Sequence, residues 1–474
     1  MMRTMAAITE IPGPKGLPLL GSALDLRRDS LDVFLRARRD HGDVVRLSAG
    51  PPGVRSVMHC VFSAEGVQQI LASQAANFRK DNQFYEELRQ SAGNGLLTAQ
   101  DADYRRQRRL IQPLFTKRQV DTYATAVTLE ADGTVERWRD AADGVVDVVR
   151  EMDRLALRTV SRILFGADVE AAVDVIHDNF PVVSEYVTRR GFSPMNPPRS
   201  WPLPSNRRAE AASRAVYAVC DRIIAERRAA DATAGAASAG AASTATATAS
   251  AEGNDLLSLL SRASSEEDGS LDAAELRDQV LVFLVAGHET TATSMAFALH
   301  LLARHPEVQK RAQEEADRLL SGRAPSAADL DELPYLTRVL KESMRLYPAA
   351  PVVGRRSVEA AEIDGHLIPA GADVLVLPWV THRHPDLWDD PERFDPDRFT
   401  PEREAARHRY AWFPFGGGPR ACIGQHFSML ESVLAVAALL RSYELEAVDT
   451  EVPLAAGITL QATGPARVRV RARG

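Results

Sequence analysis

Residues 281–303 read LVFLVAGHETTATSMAFALHLLA and are apolar with few interruptions. The helical pattern runs from about Leu271 to Arg304, and Pro306 stops it. A helix that is apolar on every side has to be buried. At about 1.5 Å per residue it spans about 50 Å. The rest of the chain must therefore wrap around it. Its middle breaks two local rules in one turn. A glycine inside a helix, Gly287, costs about 1 kcal/mol against alanine. A carboxylate in a buried helix, Glu289, must be paired or reach water. Such violations gather at functional sites. Gly287 is expected to leave room beside the backbone for a ligand, with Glu289 and Thr290 relaying protons to it. The alternative is a kink in which Thr290 bonds the carbonyl one turn back.

The second constraint is Phe413 to Gly424, FPFGGGPRACIG. Glycines permit left-handed turns and prolines fix the chain direction. The stretch reads as a rigid loop that presents one thiol, Cys422, just before a helix. There the backbone N–H groups and the helix dipole favour the thiolate. A thiolate held this way is a nucleophile or a metal ligand. His426, four residues on, is the candidate base for the first use. Phe415 and Arg420, close to the sulfur in sequence, suit the second.

Composition bounds the partners. Apolar residues make up 45% and charged residues 26%, an ordinary globular balance. A net charge of −7 argues against a nucleic-acid partner. Three cysteines, Cys60, Cys220 and Cys422, form no disulfide framework and fit a reducing, cytoplasmic setting. No run of about 18 apolar residues opens the chain, so neither a signal peptide nor a membrane anchor is expected.

Along the chain, residues 1–21 form a proline-rich arm. A helix over 30–47 runs into a strand at 43–47, a second strand covers 57–62, and a helix starts near Glu65. Residues 79–99 read as an irregular loop with one short helix. Asp101–Phe115 is a basic helix carrying Arg105, Arg106, Arg108 and Arg109. Long helices fill 120–228, interrupted by prolines over 191–206. Residues 229–253 are almost all Ala, Ser, Thr and Gly and read as a flexible surface loop. A helix covers 335–347, and strands are expected within 362–368 and 373–377. Glu342 and Arg345 share one helix face.

The order Phe415-x-x-Gly418-x-Arg420-x-Cys422-x-Gly424 resembles the haem-binding loop of the cytochrome P-450 family at every defined position. AGHETT matches that family's oxygen-activation turn, and KESMR with PDRF is similar to its ion-pair motif. The resemblance covers nearly the whole chain. It implies a mainly α fold with a small β-sheet region and a single domain over 1–474. Residues 408–474 would hold the haem-thiolate loop, the following helix and C-terminal strands.

The resemblance also implies roles. Heme b (iron protoporphyrin IX) would be bound with Cys422 as the metal ligand. Phe415, Gly418 and Gly287 would border it. Tyr104, Arg108, Arg420 and Arg355, or the adjacent Arg356, would face its propionates. Glu289 and Thr290 would handle protons, while His288 points away. Glu342, Arg345 and Arg398 would form a buried triad behind the haem. The reaction implied is a monooxygenation, with one atom of O2 entering a hydrophobic small molecule such as a terpenoid, polyketide or fatty acid. Electrons would come from a ferredoxin or flavodoxin with its NAD(P)H reductase, docked on Arg105, Arg106, Arg109, Lys117 and Arg118. A peroxide-driven peroxygenase, a redox-neutral rearrangement enzyme and a haem sensor stay open as alternatives.

Overall fold

The computed structural model describes residues 10–473 except 166–169, 194 and 241–254. The proline-rich arm lies along the first strand: Arg46 N donates to Pro12 O and Ser22 N to Ser48 O, each at 2.7 Å. Helix α1 (Ala23–His41) begins earlier than its apolar pattern announces and buries Leu31, Val33, Phe34 and Ala37. β1 (Val44–Ala49) and β2 (Ser56–Val61) form an antiparallel hairpin. α2 (Ala64–Gln68), capped by the Ser63 hydroxyl, runs into a wider turn over Gln69–Ser73. β3 (Phe78–Arg79) leads to α3 (Gln83–Ala92), the short helix expected inside 79–99, with the Asn82 side chain as its cap.

The middle of the chain is helical. It comprises α4 (Asp101–Ile111), α5 (Lys117–Asp121), α6 (Ala124–Arg139), the short strand β4 (Val145–Asp147), α7 (Val148–Phe165) and α8 (Glu170–Gly191). The prolines then hold the chain out of helix until α9 (Pro204–Gly240). Here one expectation is corrected. Residues 229–240 continue α9 rather than forming a loop, because alanine has the highest helix propensity and little competes with it. The remainder of that loop, 241–253, lies outside the described residues.

α10 (Leu256–Arg262) and the hairpin β5 (Ser264–Ser265) with β6 (Gly269–Ser270) precede the central helix α11 (Ala273–Arg304). A capping box between Asp272 and Glu275 starts α11, and it ends before Pro306. By length and composition α11 is able to cross a membrane, but 72% of its most apolar window is buried against the rest of the protein. It is the core helix the sequence demands.

α12 (Pro306–Leu320) and α13 (Pro334–Leu346) are followed by β7 (Val353–Ser357), the hairpin β8 (Ala361–Ile363) and β9 (His366–Ile368), and β10 (Asp373–Val376). α14 (Pro378–Thr381) and α15 (Pro401–Ala406) lead to α16 (Gln425–Ser442). β11 (Tyr443–Ala447), β12 (Leu454–Ala456), β13 (Leu460–Ala462) and β14 (Arg467–Ala472) close the chain.

The larger sheet has the order β1-β2-β10-β7-β3, with β10 parallel to β2 and the other pairs antiparallel. A second sheet, β11-β14-β4, ties the C-terminus to the start of α7. α11 packs most closely on α7 and also meets α13 and α16. One apolar cluster spans all four of these helices.

Candidate haem-thiolate site

The cysteine loop is closed by two backbone bonds. Gly416 N donates to Phe413 O and Cys422 N to Phe415 O, each at 2.9 Å. Gly418 has φ +63°, and a Cβ there would lie 1.9 Å from the Leu71 carbonyl oxygen. Only glycine fits, because the loop rests directly on the wide turn after α2. Phe415 is half-buried and its ring meets Trp412 edge-on at 6.3 Å. The thiol of Cys422 has an accessible face in otherwise dense surroundings. Burial pushes its pKa up, against the pull of the Gly424 N–H, Arg108 and Lys80. His426 is engaged elsewhere, 3.4 Å from Asp121.

Four cations gather around this loop. Tyr104 Oη donates to Pro419 O at 2.7 Å, and Arg108 Nη1 donates to Ala421 O at 3.0 Å, so α4 is pinned to the loop. The Arg420 guanidinium lies 3.6 Å from the Tyr104 ring centroid and donates to the Ala99 carbonyl. Its Nη1 is buried and has no partner among the described residues. Arg355 is buried, and among the described residues its side chain bonds only its neighbour's carbonyl, Gly354 O, at 2.7 Å. Arg356 alternates to the other side of β7, half exposed and 3.7 Å from Asp373. Of the two, Arg355 is the buried one.

The fourth cation, Lys80, has no signal in the sequence that separates it from a surface lysine. It is buried, donates to Leu97 O at 3.1 Å and lies over the Tyr85 ring at 5.1 Å. Burial, then the charges of Arg355 and Arg420, push its ammonium pKa well down. Among the described residues Lys80, Arg108, Arg355 and Arg420 pair with no carboxylate. Buried cations without an anion are costly. A group carrying two carboxylates and a metal beside one thiol fits this donor set.

The family model for cytochrome P450 matches residues 11–466. The chain belongs to the cytochrome P450 family. It is 36% identical over 437 residues to the cyclooctat-9-en-7-ol 5-monooxygenase of Streptomyces melanosporofaciens, covering 92% of this chain and 89% of the relative. It is 34% identical to the pentalenene oxygenase of Streptomyces avermitilis, covering 97% of each. The crystal structure of the cytochrome P450DA heme domain superposes with a TM-score of 0.84 at 27% identity, over 99% of both chains. The protein is a cytochrome P450 monooxygenase with heme b as its cofactor. When bound, the thiolate-ligated haem supplies dioxygen activation and O–O cleavage.

In this P450 the expected oxygen-activation turn lies on α11. Thr290 Oγ1 donates to Ala286 O at 2.7 Å, the bond one turn back. Glu289 Oε2 is buried and has no hydrogen bond of normal length and angle among the described residues. Burial raises its pKa; His288, the Thr459 hydroxyl and the Gln461 amide pull it down, while Asp153 adds to the rise. Gly287 is a correction. A Cβ there would point at Val160 of α7, 3.0 Å away, so this glycine serves close packing of α7 on α11 rather than room for a ligand. His288 is buried with Nδ1 2.6 Å from Leu284 O and its ring edge-on to Phe180 of α8.

The ion-pair motif closes as a buried unit. Arg345 bonds Glu342 through Nε at 2.7 Å and Nη2 at 2.8 Å. Arg398 Nε lies 3.4 Å from Glu342, whereas Arg393 offers only its carbonyl to Arg345. Arg345 also donates to His382 O at 2.8 Å, and His382 Nε2 accepts from Phe413 N at 2.9 Å. Burial holds the His382 pKa well down, so it is neutral and able to accept. His382, which the sequence does not single out, connects the triad to the first residue of the cysteine loop.

The expected donor-docking cations are largely spoken for. Arg106 pairs with Glu275, Arg109 with Asp268 and Glu267, and Lys117 with Asp331. Only Arg105 and Arg118 of the five are exposed and without an ion pair among the described residues.

Proposed function

We propose that this P450 oxidises a C–H or C=C bond of a terpenoid, with Cys422 as the iron ligand and Lys80, Arg108, Arg355 and Arg420 facing the propionates. The observation that carries the substrate class is near-full-length similarity to two oxygenases named for cyclooctat-9-en-7-ol and pentalenene. The apolar character of α11 supports it: Phe283, four residues before Gly287, is buried and packs at 5.3 Å on Phe115. Glu289 and Thr290 hold and pass protons at their Oε and Oγ1 atoms.

The electron donor in this reading is an acidic ferredoxin or flavodoxin served by an NAD(P)H reductase, in a cytoplasmic setting. Arg105 and Arg118 remain available to it. A groove of about 310 Å³ beside the cysteine loop adds Arg407, His408 and Arg409 next to Trp412 and Phe415. The test is a substrate-binding spectral titration of the holoenzyme against terpenoid, polyketide and fatty-acid panels. It is followed by product analysis with a surrogate ferredoxin and reductase, and with hydrogen peroxide alone. A spectral response and oxygenated product confined to terpenoids support the reading; a response confined to another class overturns it.

A further inference from the structure

The chain between α8 and α9 reverses the usual order of a surface segment. Its polar groups are spent inward. Gln83 of α3 donates from Nε2 to Arg190 O at 2.7 Å and to Ser193 O at 2.9 Å. One turn further along α3, the buried Glu87 accepts from Arg190 Nε at 2.9 Å and from Arg199 Nε at 3.0 Å. A turn beyond that, Ser91 Oγ accepts from Arg199 Nη2 at 3.1 Å. Asn196 Nδ2 donates to Arg190 O and Arg190 Nη1 to Pro197 O, each at 2.7 Å. Asn206 Nδ2 holds the Trp201 carbonyl at 3.0 Å. The large apolar side chains of the same segment stay in solvent: Phe192 is 48% exposed, Met195 64% and Trp201 56%.

A single exposed apolar residue means little, but three bulky ones on one firmly tied segment mark a contact surface. Charge narrows what meets it. From Tyr186 to Ala209 every charged residue is an arginine. Glu87 takes up Arg190 and Arg199. Arg189, Arg207 and Arg208 are exposed and pair with no carboxylate among the described residues. The acids that bound the stretch are Glu185 and Glu210, and Glu210 lies 4.0 Å from Arg214. The occupant is therefore anionic and apolar at once. A stable protein partner needs about 800 Å² on each side, more than three side chains on one segment supply. A lipid surface asks only for side chains that insert. Tryptophan and phenylalanine suit the boundary between headgroups and acyl chains, and arginine suits phosphate.

We propose that this segment docks the protein on an anionic lipid surface, with Phe192, Met195 and Trp201 reaching into the headgroup layer and Arg189, Arg207 and Arg208 facing its phosphates. The contact is peripheral: the segment lies on the membrane and crosses nothing. Gln83, Glu87 and Ser91 of α3 hold the backbone against which the apolar side chains insert.

The test is co-sedimentation of the holoenzyme with vesicles of phosphatidylcholine alone and of phosphatidylcholine mixed with phosphatidylglycerol. Binding is expected to the mixed vesicles, to weaken as salt is raised, and to be marginal on the neutral ones. The protein carries its own probe. Of its five tryptophans, Trp138, Trp379 and Trp388 are buried and Trp412 is half-buried, so Trp201 is the exposed one. Its emission is expected to shift to the blue on the mixed vesicles and to be quenched by brominated lipid. The combined variant Phe192→Ser, Met195→Ser and Trp201→Ser abolishes sedimentation. Arg189→Gln with Arg207→Gln and Arg208→Gln lowers affinity for the mixed vesicles by about a hundredfold. All six side chains are exposed, and the reduced carbonyl spectrum checks that each variant holds its haem. No sedimentation with the mixed vesicles, equal binding to both vesicles, or parental binding by the serine variant overturns the proposal. So does self-association, or binding to the acidic ferredoxin, that the serine variant loses while vesicles leave the parent in solution; the segment is then a protein interface.

Discussion

The Arg420 guanidinium stacks on the Tyr104 ring at 3.6 Å while the Tyr104 hydroxyl bonds the carbonyl of Pro419, the residue just before Arg420. One tyrosine thus holds both the backbone and the charge of the cysteine loop. Tyr104→Phe keeps the stacking and loses one hydrogen bond, a cost of about 1 kcal/mol in thermal unfolding with haem retained. Tyr104→Ala loses the cation–π contact as well. It releases haem faster, as read by transfer to apomyoglobin.

Lys80→Met has effects of opposite sign in the apo and holo forms. Without haem, the buried ammonium beside Arg355 and Arg420 destabilises the fold, so the variant melts higher. With haem, one propionate partner is gone, and haem dissociation accelerates several-fold. Parallel melting and haem-transfer measurements check both signs.

Glu342→Ala leaves Arg345 and Arg398 buried without their carboxylate. Breaking such a pair costs about 3–5 kcal/mol. The loss also loosens the route from Arg345 through His382 to Phe413 N. The expected outcome is protein that takes up no haem; a normal haem spectrum from this variant contradicts the triad's role.

Glu431 on α16 is fully buried, and among the described residues neither carboxyl oxygen has a hydrogen bond of normal length and angle. Burial raises its pKa well above the carboxylate range, with only the Thr159 hydroxyl opposing. The acid is therefore neutral when folded and ionised when unfolded. Its contribution is intact below the unfolded carboxylate pKa and is lost as pH rises toward the folded one. Glu431→Gln mimics the neutral acid, so it stabilises the protein at neutral pH by about 1–3 kcal/mol. The gain disappears only below the unfolded carboxylate pKa.

Motifs whose meaning lies in short spacing were legible. Cys422, Glu342 with Arg345, and the buried central helix fall where the sequence places them, and Arg398 was correctly preferred to Arg393. What depended on three-dimensional approach was not. Gly287 reads as an opening until Val160 of α7 is seen against it. Lys80 and His382 are ordinary polar residues until β7, α3 and the cysteine loop converge on them. The Ala-rich end of α9 read as a linker because its composition suits both states, and helix propensity decided. The basic run of α4 read as a docking surface for an acidic donor because its acidic partners, on the β5–β6 hairpin and in the first turn of α11, lie far along the chain.

The account depends on a bond between Cys422 and haem iron. Its most direct test is the absorption spectrum of the reduced carbonyl form, recorded for the parent and for Cys422→Ser after haem supplementation. The parent is predicted to show the red-shifted Soret band of cysteinate ligation and the variant to lack it. A parent without that band, or a Cys422→Ser variant that keeps it, contradicts the account.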